Sequence, residues 1–228
     1  MSHPTNTFGM PHRLDPPRRN WGTPVPRTDR VRKPQIRLEP VTGPLTSVHG
    51  RRVLVLVDVE NLCLGARDVG CRLSFAALAR TLRQAAATCS IHGFFSREPG
   101  DRRLENALTR AGWSAHPRDV ARIGSARGTR SLANSDYLIA FYGGLLATRR
   151  RLDAVVLASG DGPLVLDLAR ALAGLPTPRE IVTLSLPGST SWALDARTNR
   201  HITTNIEIGR DCLNPFVRRT LAVTRLPA

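Results

Sequence analysis

The stretch VLVLVDVEN, residues 53–61, decides the fold. Five successive valines and leucines with no polar alternation describe a strand covered on both faces, as in the middle of a parallel sheet. The run stops at Asp58, and Glu60 and Asn61 follow at once. A carboxylate directly after a buried strand stands where open parallel sheets bind ligands, outside the strand carboxyl ends.

Downstream, the same kind of strand alternates with helical spacing. SFAALARTLRQAAA (74–87) predicts a helix capped by Ser74, and DRRLENALTRAG (101–112) a helix closed by Gly112. SIHGFFS (90–96), WSAH (113–116), DAVVLAS (153–159), REIVTLSLP (179–187) and HITTNIEI (201–208) read as strands. NSDYLIAFYGGLLATRR (134–150) predicts a helix capped by Asn134 or Ser135, GDGPLVLDLARALAG (160–174) a loop entering a helix, and STSWALDART (189–198) a short helix. Such alternation implies crossover connections, hence an α/β domain with a mostly parallel sheet and helices on both faces.

The 228-residue chain divides by composition. Nine of its 17 prolines precede residue 48, so residues 1–51 read as a disordered Pro/Arg-rich arm, 52–209 as the α/β domain, and 210–228 as a basic C-terminal tail. The net charge of +15 is unevenly spread: residues 1–52 carry +7, 53–209 carry +5 and 210–228 carry +3. This balance points to a nucleic-acid partner, through contacts that weaken with salt. The apolar runs are too short to span a bilayer and the N-terminus lacks a signal-peptide apolar region, so the expectation is a cytoplasmic protein without a membrane partner.

Several chemistries are excluded. Lys33 is the one lysine and lies among prolines, which rules out a Walker A lysine, a kinase strand lysine and a Schiff-base amine. Cys63, Cys71, Cys89 and Cys212, like the six histidines, are scattered without metal-ligand spacing, so neither a zinc site nor a disulfide framework is predicted.

Three aspartates can meet at the strand carboxyl ends: Asp58 after the first strand, Asp161 in ASGDGPL and Asp136 at the start of NSDYLIAFY. Taken singly, each reads equally well as a turn residue or a helix cap. Together they suit a hard divalent cation, Mg²⁺ or Mn²⁺, which neutralises converging carboxylates and activates water against a phosphate. Glu60, Asn61 and Ser159 flank this set. Arg118, Arg122, Arg127 and Arg130, in an expected loop over 117–133, are placed to grip phosphates.

At Asp58-Val59-Glu60-Asn61, Asp136 and Ser159-Gly160-Asp161 the chain resembles the NYN domain family of PIN-like ribonucleases, from about Val53 to Ile208. The resemblance implies a Rossmann-like PIN fold and metal-dependent RNA cleavage, with Asp58, Asp136 and Asp161 binding the metal and Asn61 and Ser159 supporting them. The chain departs from the family at Pro163 and Tyr142, where members commonly carry further aspartates, and at Asn134 and Ser135, where a lysine usually precedes the helix aspartate. The expectation is therefore an Mg²⁺- or Mn²⁺-dependent endoribonuclease, with a degenerate RNA-binding or regulatory protein as the alternative. Of Tyr137, Phe141, Tyr142, Trp113 and Trp192, four are expected to be packing residues, and extensive base stacking is not expected. Neither a protein partner nor an oligomeric state is readable.

Overall fold

In the computed structural model the chain runs β1 (Arg52–Asp58), α1 (Val59–Asp68), β2 (Cys71–Leu73), α2 (Phe75–Ala85), β3 (Thr88–Arg97), α3 (Arg103–Arg110) and β4 (Ser114–Asp119). It continues with β5 (Ala121–Ser125), β6 (Gly128–Leu132), α4 (Asp136–Arg149), β7 (Ala154–Ala158), α5 (Gly162–Ala173), β8 (Glu180–Ser185), β9 (Thr204–Glu207) and β10 (Leu213–Pro215). The structure describes residues 45–216 apart from 126, 127, 133, 134, 150, 176–178 and 198. Most of the expected N-terminal arm and the end of the C-terminal tail thus lie outside the described residues, as do the side chains of Arg122, Arg127, Arg130 and Trp192.

The main sheet has six parallel strands in the order β4-β3-β1-β7-β8-β9. β1 is central, pairing with β3 on one side and β7 on the other, and its alternation serves two cores. Leu54 and Leu56 join Phe94, Val155 and Leu157 beneath α4 and α5, while Val53, Val55 and Val57 join Ile91, Phe95, Val156 and Ala158 beneath α1, α2 and α3. Both faces are covered, which is why the VLVLV run carries no polar residue. The result is the Rossmann-like α/β fold expected. The chain builds outward from β1 through β3 to β4, then returns to β7, so strand order reverses between β1 and β7. Ligands of open α/β sheets bind at that reversal.

Close packing at two glycines sets the helices on the sheet. A Cβ at Gly65 of α1 would lie 2.8 Å from Leu186 Cδ1, and one at Gly143 of α4 would lie 2.5 Å from Leu56 Cδ1. Gly143 falls in a stripe with Ile139 and Ala147, spaced by four residues, which faces the core; Tyr137 and Phe141 fall on a second stripe, which faces solvent.

The expected caps hold: Ser74 Oγ accepts from Ala77 N–H at 3.3 Å, and Gly112 adopts φ +78° just past α3. Four expectations are corrected. The segment 117–133 is no loop: it completes β4 and forms the antiparallel hairpin β5–β6, whose strands pair with each other in a two-stranded sheet. The segment 189–198 contains a 3-10 turn, Trp192–Leu194, in place of a helix. α1 was not anticipated. The folded part also extends past residue 209, where β10 pairs antiparallel with β2 and buries Cys212 and Leu213. Among the described residues no helix is long and apolar enough to cross a membrane.

Candidate active site at the carboxyl edge of the sheet

Asp58 ends β1 at the strand-order reversal and is only 7% exposed. It is also the N-cap of α1: Asn61 N–H donates to Asp58 Oδ1 at 3.1 Å. Ser159, buried at the end of β7, donates its hydroxyl to Asp58 Oδ2 at 3.2 Å. Asp161 N–H in turn donates to Ser159 Oγ at 3.1 Å, and Gly160 N–H donates to Asn61 Oδ1 at 2.7 Å. These bonds lock the two neighbouring strand ends, D-x-x-N and S-G-D, into one unit. Gly160 is required there, because a Cβ would sit 2.5 Å from the Ser189 carbonyl oxygen. Gly162 likewise leaves room for the Ser191 hydroxyl.

Burial pushes the Asp58 carboxyl above its ordinary range. The bonds from Asn61 and Ser159 oppose that rise, and the charges of Asp136 and Glu60 add to it. The Asp136 charge thus acts on Asp58 from the head of α4. Asp136 opens α4 and is half-buried. Its placement is aided by Glu60, an exposed residue in the first turn of α1, whose Oε2 accepts from Ser135 Oγ at 3.4 Å and Ser96 Oγ at 3.3 Å. Asp161 stands at the N-cap position of α5 yet makes no side-chain capping bond. Of the two strand-end aspartates, Asp58 spends an oxygen on capping and Asp161 does not.

Arg118, on β4, lies over the Tyr137 ring with its guanidinium carbon 4.1 Å from the centroid. It is in register with Ser96, the residue that bonds Glu60, so Arg118 belongs to the same edge of the sheet. Arg122 and Arg130 are carried by β5 and β6. Two features escaped the sequence reading. Tyr137, Phe141 and Tyr142 are exposed on α4, at 49%, 67% and 40%, whereas Trp113 is core. His92 and His116, 24 positions apart, are brought together by β3–β4 pairing, with Nδ1 to Nε2 at 2.9 Å. Strand register was the missing information in the second case.

Among the described residues, no group of three or more His, Cys, Asp or Glu side chains is gathered to hold a metal ion. Asp58, Asp136 and Asp161 thus do not form a closed three-acid cage. Asp58 and Asp136 are of the residue type that Mg²⁺ takes when it keeps several waters and binds one or two carboxylates together with substrate phosphates. A cavity of about 200 Å³ at the opposite end of β1, lined by Arg52, Thr88, Cys89 and Arg151 among others, contains no carboxylate in its lining.

No family model matches the chain, and no curated protein matches it either. Among solved structures, the chain is similar to a protein of unknown function from Vibrio parahaemolyticus, with a TM-score of 0.56 and 22% identity. That likeness covers 72% of this chain and 97% of the other, and it shows a shared fold.

Proposed function

We propose that the protein hydrolyses RNA phosphodiester bonds at this carboxyl edge, with Mg²⁺ or Mn²⁺ held by Asp58 and Asp136. The observation that carries the reading is a buried aspartate at the strand-order reversal, hydrogen-bonded through Ser159 to the S-G-D turn that holds Asp161. Two carboxylates in such a place repel each other unless a cation sits between them. The resemblance to the NYN family at the same residues favours the same chemistry, and the excess of arginine favours a polyanionic substrate.

Each residue has a role in this scheme. Ser159 and the Asn61 amide hold the Asp58 carboxylate in one orientation. Glu60, through Ser135, holds the head of α4 and so positions Asp136. Asp161, whose carboxylate caps no helix, receives the proton of the attacking water. Arg118, with Arg122, Arg127 and Arg130, binds the phosphates on either side of the scissile bond. The bound ion supplies charge neutralisation on the phosphate and lowers the pKa of water.

A second reading, RNA binding without turnover, is favoured by the absence of a three-acid group among the described residues and by Pro163, which occupies the first turn of α5 where a further aspartate is common in the family. Incubating the purified chain with end-labelled single-stranded RNA and Mg²⁺, Mn²⁺ or EDTA separates the two. Hydrolysis that appears with Mg²⁺ or Mn²⁺ and stops with EDTA supports catalysis. RNA that is bound but never cut, with affinity unchanged by EDTA, supports the second reading and ends the first.

A further inference from the structure

α4 carries an aromatic surface that the proposed chemistry does not use. Tyr137 directly follows Asp136, and Phe141 lies one turn further on the same side of the helix, where Cβ atoms are about 5–6 Å apart. Phe141 is 67% exposed and Tyr137 49% exposed. Such large aromatic surfaces are costly to leave in water, and grouped ones mark a contact surface. Tyr142 extends the group, meeting Phe141 edge to face at 5.6 Å and the His116 ring at 5.7 Å. His116 stacks on the buried Phe94 at 4.7 Å, so the exposed rings are backed by rings anchored in the core.

We infer that Tyr137 and Phe141, with Arg118 against Tyr137, form a base-stacking subsite that receives nucleotides of the substrate strand beside Asp136. The inference rests on the proposed RNA reading and deepens it by assigning residues that hold bases where the site residues hold phosphate. Three observations select this occupant. The surface lies on α4, the helix that Asp136 opens. A guanidinium lies 4.1 Å from the Tyr137 centroid, which combines a ring for stacking with a cation for phosphate. The strands that follow β4 in the chain also carry arginines, Arg122 on β5 and Arg130 on β6. A second copy of this chain docked by a two-fold axis through Tyr137 would bring Arg118 toward its own equivalent, whereas a polyanion is attracted by it.

The test uses the full-length chain in EDTA, so that binding is read without turnover, with a short fluorescein-labelled unstructured RNA and an abasic strand of equal length. Tyr137→Ala and Phe141→Ala are each expected to weaken binding of the unstructured RNA by about 5- to 150-fold, the range for loss of one stacked base. Binding of the abasic strand changes little, because it offers phosphates without bases. Phe141→Trp is expected to retain affinity. If both alanine variants bind the unstructured RNA like the wild type, the stacking subsite is overturned while the RNA reading stands. If the wild type binds neither strand at low salt, the RNA reading itself fails, and the subsite with it. If the alanine variants change the sedimentation coefficient but not RNA affinity, the surface is a self-association face and the inference is wrong.

Discussion

Asp58 serves the fold poorly and the site well. A carboxylate buried at the end of β1 is held above its ordinary pKa by desolvation, so its charged form is the one the folded state disfavours. The sign follows from linkage: with the folded-state pKa raised, stability is lost as pH rises from the unfolded-state value through the folded one. Asp58→Asn keeps an oxygen to accept from Asn61 and removes the charge. The variant is expected to melt higher than the wild type at pH 7, by about 2–4 °C for each kcal/mol recovered in a chain of this size. The difference narrows as pH falls and Asp58 of the wild type becomes protonated. Thermal melts of both proteins between acid and neutral pH measure this, and a variant no more stable than the wild type at pH 7 would contradict it.

At the scale of elements, β1 shows what periodicity conveys. Its unbroken apolar run identified a central strand, and Asp58, Asn61 and Ser159 were found because strand ends are visible in sequence as the place where that run stops. α1 was overlooked although Val59, Leu62 and Ala66 recur at helical spacing, because the apolar strand runs directly into it at Asp58; the reason for Gly65, contact with Leu186, lies over 100 positions away. The β5–β6 hairpin was hidden because its two short strands pair with each other in a sheet of their own. The exposed rings of α4 were misassigned because aromatic residues in an apolar helix look like core until the packed face is known; Ile139, Gly143 and Ala147 occupy that face. Gly160 of the S-G-D motif is fixed by the Ser189 carbonyl, a contact that only the fold reveals. Gly160→Ala is expected to cost about 1–3 kcal/mol in denaturant unfolding, the range for overpacking against backbone that must shift. Loss of stability below a few tenths of a kcal/mol would mean the loop after β8 yields freely.

The ring stack between β3, β4 and α4 supplies a second element-scale prediction. Burial lowers the His116 pKa from its model-peptide value of 6.5. The unfolded chain therefore takes up this proton first, and stability from His116 is lost as pH falls below about 6.5. NMR titration is expected to place the His116 midpoint below that of histidine in an unstructured peptide. Equal midpoints would contradict the burial of His116 in the stack.

For the whole molecule, charge and chemistry are separated along the chain. Two thirds of the +15 lies in segments flanking residues 53–209, while the candidate site is acidic. Affinity for RNA is accordingly expected to fall steeply with salt, and replacing Arg218, Arg219 and Arg225 with glutamine is expected to reduce the log–log slope by at most about 2, from about 0.7 per phosphate contact on a single strand. A cleavage rate at saturating RNA that follows these tail charges would show that the terminal residues take part in chemistry and not only in binding. The account places catalysis in Asp58 and its neighbours instead. The measurement that tests this most directly is the single-turnover rate of RNA hydrolysis with Mn²⁺, compared between the wild type and an Asp58→Asn variant shown by melting to be folded. The account predicts metal-dependent hydrolysis by the wild type and a loss of at least about 100-fold in the variant, as expected when a group acting on the reacting centre is removed. Equal rates in the two proteins, or no hydrolysis by the wild type with either metal, would contradict it.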